Sequence, residues 1–299
     1  MAQAHWVAER LHGEVELVPI STSGDQPSTS RGQTPLGRSR VGAPPDKSRF
    51  VKELEEALLA GDIDLAVHSA KDVPADLPRG LVIVAVPERA DARDAICGAD
   101  SLDDLPEGAV VGTASLRRRA TLLALRSDLD VRELRGNVDT RLCRLADGDF
   151  DAIVLAQAGL DRLGRGEEGA PLDPGAFVPA PGQGCLLLEG CDADQAAIDA
   201  CAGLTDMAAN ACLIAERWLV RRLGATCNTP VGAHAVEAGE TLTLTAFVGL
   251  PDGSRWIRDE LQVPYDTPAD APGLRVAERM LAAGAAELLE EAERAVAAG

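Results

Sequence analysis

Three stretches of the chain hold residue types that can do chemistry. The first is Asp64-Leu-Ala-Val-His-Ser-Ala-Lys-Asp-Val-Pro74. Its apolar run, Leu65 to Val67, reads as the end of a buried strand. Pro74 cannot donate to a sheet ladder and disfavours a helical Val73, so the chain leaves the sheet there. Ligands of open α/β sheets gather where strands end. Lys71 and Asp72 at that point are candidates for charge stabilisation or proton handling; the alternative is an ordinary ion pair on a solvated turn.

The second stretch is an arginine island. Eight arginines (117, 118, 119, 126, 132, 135, 141, 144) against four acids (Asp128, Asp130, Glu133, Asp139) leave residues 117–144 at a net +4 inside a chain of net charge −19. A guanidinium grips carboxylate or phosphate through two parallel hydrogen bonds. Thr113-Ala114-Ser115 ends a predicted strand and opens a helix, where backbone N–H groups and the helix dipole favour an anion. Arg117 and Arg118 sit in that helix's first turn, where a cation is unfavourable unless an anion accompanies it. Arg135-Gly136-Asn137 repeats the layout, with Arg141 one turn on and Arg162 after the next strand. These arginines read as a polycarboxylate or phosphate site, or else as a solvated face; the second reading suits Arg126, Arg132 and Arg144.

The third stretch is Gly224-Ala-Thr-Cys-Asn-Thr-Pro-Val-Gly-Ala-His234. Of seven cysteines, Cys227 alone lies in a clear turn context, where a thiol can be reached, although a loop cysteine is often inert. No Cys-x-x-Cys pair signals a zinc or redox site.

The elements that must position these residues follow from periodicity. Ala2 to His12 and Phe50 to Leu59 read as helices; Glu14 to Ile20, Asp62 to Val67 and Gly80 to Val86 read as strands. Between them, 21–49 is a Ser/Gly/Pro/Thr/Gln-rich segment that builds no core. From 109 to 163 strands alternate with short helices, which predicts a parallel sheet. Gly184 to Glu189 reads as a strand feeding back into the first domain. After a helix at 210–223, three alternating segments parted by Ala238-Gly239 and Pro251-Asp-Gly253 predict a three-stranded antiparallel sheet, covered by helix over 274–297.

Composition bounds the rest. Apolar residues make up 46% of 299 but aromatics only 3%, so cores must rest on Ala, Val, Leu and Ile. The charge of −19, with Lys47, Lys52 and Lys71 the only lysines, suits a salt-adapted protein and argues against nucleic acid or an anionic membrane as partner. No run reaches the roughly 18–20 apolar residues of a membrane span, and the N-terminus does not read as a signal peptide, so a cytoplasmic protein is expected.

Taken together, the chain resembles the porphobilinogen deaminase (hydroxymethylbilane synthase) family of tetrapyrrole biosynthesis. The resemblance rests on Phe50-Val-Lys-Glu-Leu54, Val67-His-Ser-Ala-Lys-Asp-Val-Pro74, Gly112-Thr-Ala-Ser-Leu-Arg-Arg118, Leu134-Arg-Gly-Asn-Val138 with Thr140-Arg141, and Asp151-Ala-Ile-Val-Leu-Ala156. Ala158-Gly-Leu-Asp-Arg-Leu-Gly164, Pro181-Gly-Gln-Gly184 and the Cys227 loop follow in the family's order. It implies two α/β domains hinged like type II periplasmic binding proteins and a small α+β domain. Their spans would be 1–87 plus 185–203, 93–179, and 211–299. It implies a monomeric transferase with a dipyrromethane cofactor, self-assembled from porphobilinogen and held by Cys227 through a thioether. Four porphobilinogen units would be condensed with loss of ammonia and hydroxymethylbilane released by water.

By the same match Asp72 is the catalytic carboxylate. Ser69, Lys71, Thr113, Ser115, Arg117, Arg118, Arg135 and Arg141 would contact the cofactor, Arg162 the substrate, and Lys47 would belong to a loop over the cleft. Three departures stand out. The family's opening strand and turn, with an Arg and a Ser, are not found before Gln3-Ala-His-Trp-Val7, which reads as a misplaced start or a truncation that weakens stability and activity. Thr226 stands where a Gly is usual, and Asp139 puts an acid in the arginine island. The competing readings are a non-catalytic binder of carboxylated ligands on the same fold and a disabled enzyme.

Overall fold

A computed structural model describes residues 2–20, 48–226 and 229–298. In chain order it holds α1 (Ala2–Ala8), α2 (Ser48–Ala60), β1 (Leu65–Ser69), β2 (Leu81–Ala85), β3 (Asp94–Cys97), β4 (Val110–Gly112), α3 (Leu116–Leu125), β5 (Asp130–Arg132) and α4 (Val138–Ala146). Then come β6 (Ala152–Ala156), α5 (Gln157–Asp161), the short β7 (Ala170–Pro171), β8 (Leu186–Cys191), α6 (Gln195–Ala200) and α7 (Met207–Leu223). β9 (Val231–Ala238), β10 (Thr241–Gly249), β11 (Trp256–Pro264), α8 (Ala271–Ala282) and α9 (Ala285–Ala298) complete the chain.

Three sheets organise these elements. The first has the order β1-β8-β2, with the late strand β8 antiparallel to both neighbours, from Leu65 opposite Gly190 to Ser69 opposite Leu186. The predicted return of the chain after Gly184 is thus its central strand. The second sheet runs β5-β4-β6-β3-β7. Its β5-β4-β6 part is parallel, as the alternation of strands and helices implies, while β3 runs antiparallel to β6. The third is the antiparallel meander β11-β10-β9, backed by α7, α8 and α9 around Leu219, Leu244, Val276 and Leu288. Phe177 is the one aromatic among the largest fully buried side chains; the others are Leu and Ile, as the composition requires.

One local expectation changes, and one strand is added. Glu14 to Ile20 is no strand: among the described residues it joins no ladder, and Val15 and Val18 are exposed. Alternation marks a chain with two unlike faces, but a strand also needs a backbone partner. β3, which periodicity does not predict, is a four-residue strand buried on both faces, which leaves no alternation to detect.

The segments joining the sheets meet at Glu216 of α7, which is fully buried. Its carboxylate accepts from Arg89 Nη1 (2.7 Å), the Ala235 amide (2.7 Å) and the Gly182 amide (2.6 Å). Arg89 also donates from Nε to the Gln183 carbonyl. Burial works against the Arg89 charge, but Glu216 more than offsets it and holds the guanidinium pKa above its usual value. Removing one partner of such a pair strands the other. Glu216→Gln is expected to lower the unfolding free energy by about 3–5 kcal/mol. Urea denaturation checks this; an unshifted midpoint would show that the junction does not depend on the pair.

Candidate active-site cleft

β1 ends at Ser69, and the chain turns through a single 3-10 turn, Ala70–Asp72, before Pro74. Ala70 is buried and donates its amide to the Cys185 carbonyl (3.1 Å). Lys71 and Asp72 are half-buried, and Lys71 Nζ lies 3.4 Å from Gln183 Oε1. The Pro181-Gly-Gln-Gly184 turn presses against this segment. Gly182 has φ +72°, and a Cβ there would lie 3.0 Å from Ala70 and from the Lys71 amide; at Gly184 (φ +87°) it would lie 2.4 Å from the Ala90 carbonyl. Only glycine fits both positions.

A cavity of about 330 Å³ opens between this turn and the C-terminal end of β6. Ser69, Lys71 and Arg162 line it together with Gly182, Gly184 and Gln3. Gln3 also donates to Ser69 Oγ (3.2 Å), a contact that α1 supplies and that motif spacing does not signal. Arg162 donates to the Gly184 carbonyl (3.1 Å), and burial lowers its pKa.

The arginine island divides into three kinds. Arg117 and Arg118 are buried, and their anion is internal: Asp94, the first residue of β3. Arg117 Nη1 and Arg118 Nη2 reach its two oxygens at 2.7 and 2.8 Å, and Gln183 is a third donor residue, through Nε2 at 3.1 Å. The Val178 and Val154 carbonyls accept one further bond from each guanidinium. Burial alone would raise the Asp94 pKa; the two guanidiniums more than offset it and hold the carboxyl at about 2. Arg141 donates to the Gly136 carbonyl (2.8 Å), and burial and Arg118 lower its pKa. Among the described residues, neither Arg141 nor Arg162 has a carboxylate partner. Arg135, by contrast, is exposed and bonded to Glu133 (2.7 Å). Arg126, Arg132 and Arg144 pair with Asp128, Asp130 and Asp149, and Asp139 is taken up by Arg165.

Helix starts are built as the sequence predicts. Ser115 caps α3 by accepting from the Arg118 amide, and Asn137 caps α4 by accepting from the Thr140 amide. Thr113 is buried beside this start and supports it through Oγ1, which accepts the Ser115 amide. Lys47 and Cys227 lie outside the described residues.

The profile of the porphobilinogen deaminase dipyromethane cofactor binding domain matches residues 1–199, and that of the porphobilinogen deaminase C-terminal domain matches 210–282. The chain belongs to the porphobilinogen deaminase family. The porphobilinogen deaminase of Thermus thermophilus is 45% identical over 300 residues, covering 97% of this chain and 95% of that protein. The enzyme of the same name from Deinococcus radiodurans is 45% identical over 299 residues (97% and 94%), and that from Stenotrophomonas maltophilia 46% over 296 (96% and 94%). Among solved structures, a TRAP periplasmic solute binding protein from Ralstonia eutropha H16 aligns over 85% of this chain and 84% of its own at 13% identity. Its TM-score is 0.31, too low to carry an argument.

The cofactor of the porphobilinogen deaminase family is dipyrromethane, and the cleft and the arginine island both fall within the matched cofactor-binding region. The donor set suits such a group. Two buried guanidiniums share one carboxylate, which leaves net positive charge; Arg117 Nε is buried without a partner; and Arg141 and Arg162 meet only carbonyls. A ligand bearing several carboxylates would supply the missing charge.

Proposed function

We propose that the protein is a working porphobilinogen deaminase, a transferase. It would condense four porphobilinogen units onto its cofactor with loss of one ammonia each, then release hydroxymethylbilane by hydrolysis. What supports this reading is the meeting of Ser69, Lys71 and Arg162 on one cavity, within the region that matches the cofactor-binding domain. When bound, dipyrromethane supplies the nucleophilic pyrrole carbon at which the chain grows.

The residues of this chain do the rest. Cys227 gives its sulfur to the thioether. Asp72, next in sequence to the cavity-lining Lys71, would stabilise positive charge on the substrate and accept a proton at its carboxylate. Lys71 and Ser69 hold ligand carboxylates on the β1 side. Arg162, on the same cavity, would add a charged fork, and Arg141, Arg117, Arg118, Arg135, Thr113 and Ser115 would supply the further donors for the cofactor carboxylates. Lys47 would add a further cation for the ligand carboxylates.

We divide the chain into 1–87 plus 185–203, 93–179, and 211–299. No helix among the described residues is long and apolar enough to cross a membrane. We place the protein in the cytoplasm, as a monomer, adapted to salt by its charge of −19.

Intact-mass spectrometry tests the reading. The purified protein is expected to carry a covalent excess of two pyrrole units, lost in Cys227→Ala. A salt-stabilised preparation with no such excess would defeat it.

A further inference from the structure

Helix α7 holds the turn that presents Asp72. Arg217 Nη1 donates to the Val73 carbonyl (3.2 Å), and Nη2 donates to those of Pro74 (2.6 Å) and Ala75 (3.0 Å). Three successive carbonyls thus converge on one guanidinium from a segment that belongs to no sheet or helix. The same helix packs Ala209 and Leu213 against Ala70 and Val73. The residue before Arg217, Glu216, holds the Gly182 amide, and Gly182 in turn abuts Ala70 and Lys71. The segment from Ala70 to Ala75 is therefore gripped by one helix at both of its ends. That helix ends at Leu223, four residues before Cys227.

We propose that Arg217 is a positioning residue for the reaction: by clamping the carbonyls of residues 73–75 it fixes Asp72 relative to helix α7. The proposal rests on the functional reading above. A planar fork can serve three carbonyls at once, while a lysine ammonium lacks that geometry. Displacements near 1 Å at a reacting group cost on the order of 100-fold in rate, so a clamp of this kind acts on turnover more than on binding.

The test compares Arg217→Met, Arg217→Lys and, as a control, Arg221→Met, which removes an exposed ion pair between α7 and Asp76 of the same loop. In cofactor-loaded enzyme, Arg217→Met is expected to lower kcat about 10- to 100-fold with KM within about twofold of wild type. Arg217→Lys should recover part of the loss, and Arg221→Met should stay within about twofold. Amide exchange over residues 71–76 should accelerate in Arg217→Met while exchange in β8 is unchanged. Wild-type kcat in Arg217→Met overturns the proposal, and so does a fall in kcat with unaltered exchange at 71–76. If Arg217→Met does not accumulate as folded protein, Arg217→Lys decides on the same two measurements. A wild-type protein without turnover would overturn the functional reading instead, and amide exchange would still decide whether Arg217 holds the loop.

Discussion

Asp94→Asn is expected to destabilise the protein by about 3–5 kcal/mol. Arg117 and Arg118 are both buried against this carboxylate, whose exposure is zero. An amide of nearly the same shape keeps the packing and part of the hydrogen bonding. It removes the only negative charge facing two guanidiniums among the described residues. The loss is therefore electrostatic and large, because the stranded charges stay out of water. Urea denaturation near neutral pH measures it, and an unchanged midpoint would show that the two arginines find another anion.

The same group sets an acid limit. The Asp94 carboxyl, held at about 2 against an ordinary value near 3.8, binds its proton more weakly in the folded chain. Its stabilisation is present above about pH 4 and is lost as pH falls toward 2. The stability profile of Asp94→Asn should be flatter over that window than that of wild type. Equal slopes would mean that other carboxylates control acid unfolding.

Asp72→Ala is expected to reduce turnover by about 10²- to 10⁴-fold, the range associated with a positioned general acid–base group. The fold should survive. Asp72 is half-buried at the end of a 3-10 turn whose backbone is held by the Ala70–Cys185 bond and by Arg217, neither of which uses the Asp72 side chain. Single-turnover kinetics, with intact mass to confirm that the cofactor is still attached, separates lost chemistry from lost assembly. Retained turnover would show that another carboxylate does the work.

The two substitutions mark the boundary of what the sequence discloses. The turn that carries Asp72 announces itself locally, by an apolar run broken at Lys71-Asp72 and closed by Pro74. The helix caps at Ser115 and Asn137 and the meander of the third sheet are local in the same sense, and were legible for that reason. The partner of Arg117 and Arg118 was not. An anion was expected from the position of the two cations, but nothing near them in sequence points to Asp94, in a buried strand too short to show a period. Contacts between elements distant in sequence carry no local signature. Glu216 and Glu189 lay between these cases. Glu216 follows Leu213-Ile214-Ala215 and Glu189 follows Leu186-Leu187-Leu188, and each is fully buried opposite a basic group, Arg89 for the first and His68 (3.0 Å) for the second. A charge inside an apolar run was the available signal. Glu14 to Ile20 shows the reverse error, since a good strand pattern without a ladder partner stays unpaired.

The strand order of the first sheet also governs how the chain is made. β8 lies between β1 and β2, yet it is translated only after every strand of the second sheet. On the ribosome, the five-stranded sheet can close while β1 and β2 still wait for the strand that joins them. The part of the protein that emerges first is thus completed later, reversing the usual N-terminal-first order. Until Leu186–Cys191 emerges, two apolar strands remain with unsatisfied backbone on both sides, the state most exposed to mispairing with other nascent chains. Slow synthesis through residues 94–191 would lengthen that interval, so expression yield should respond to translation rate across this span.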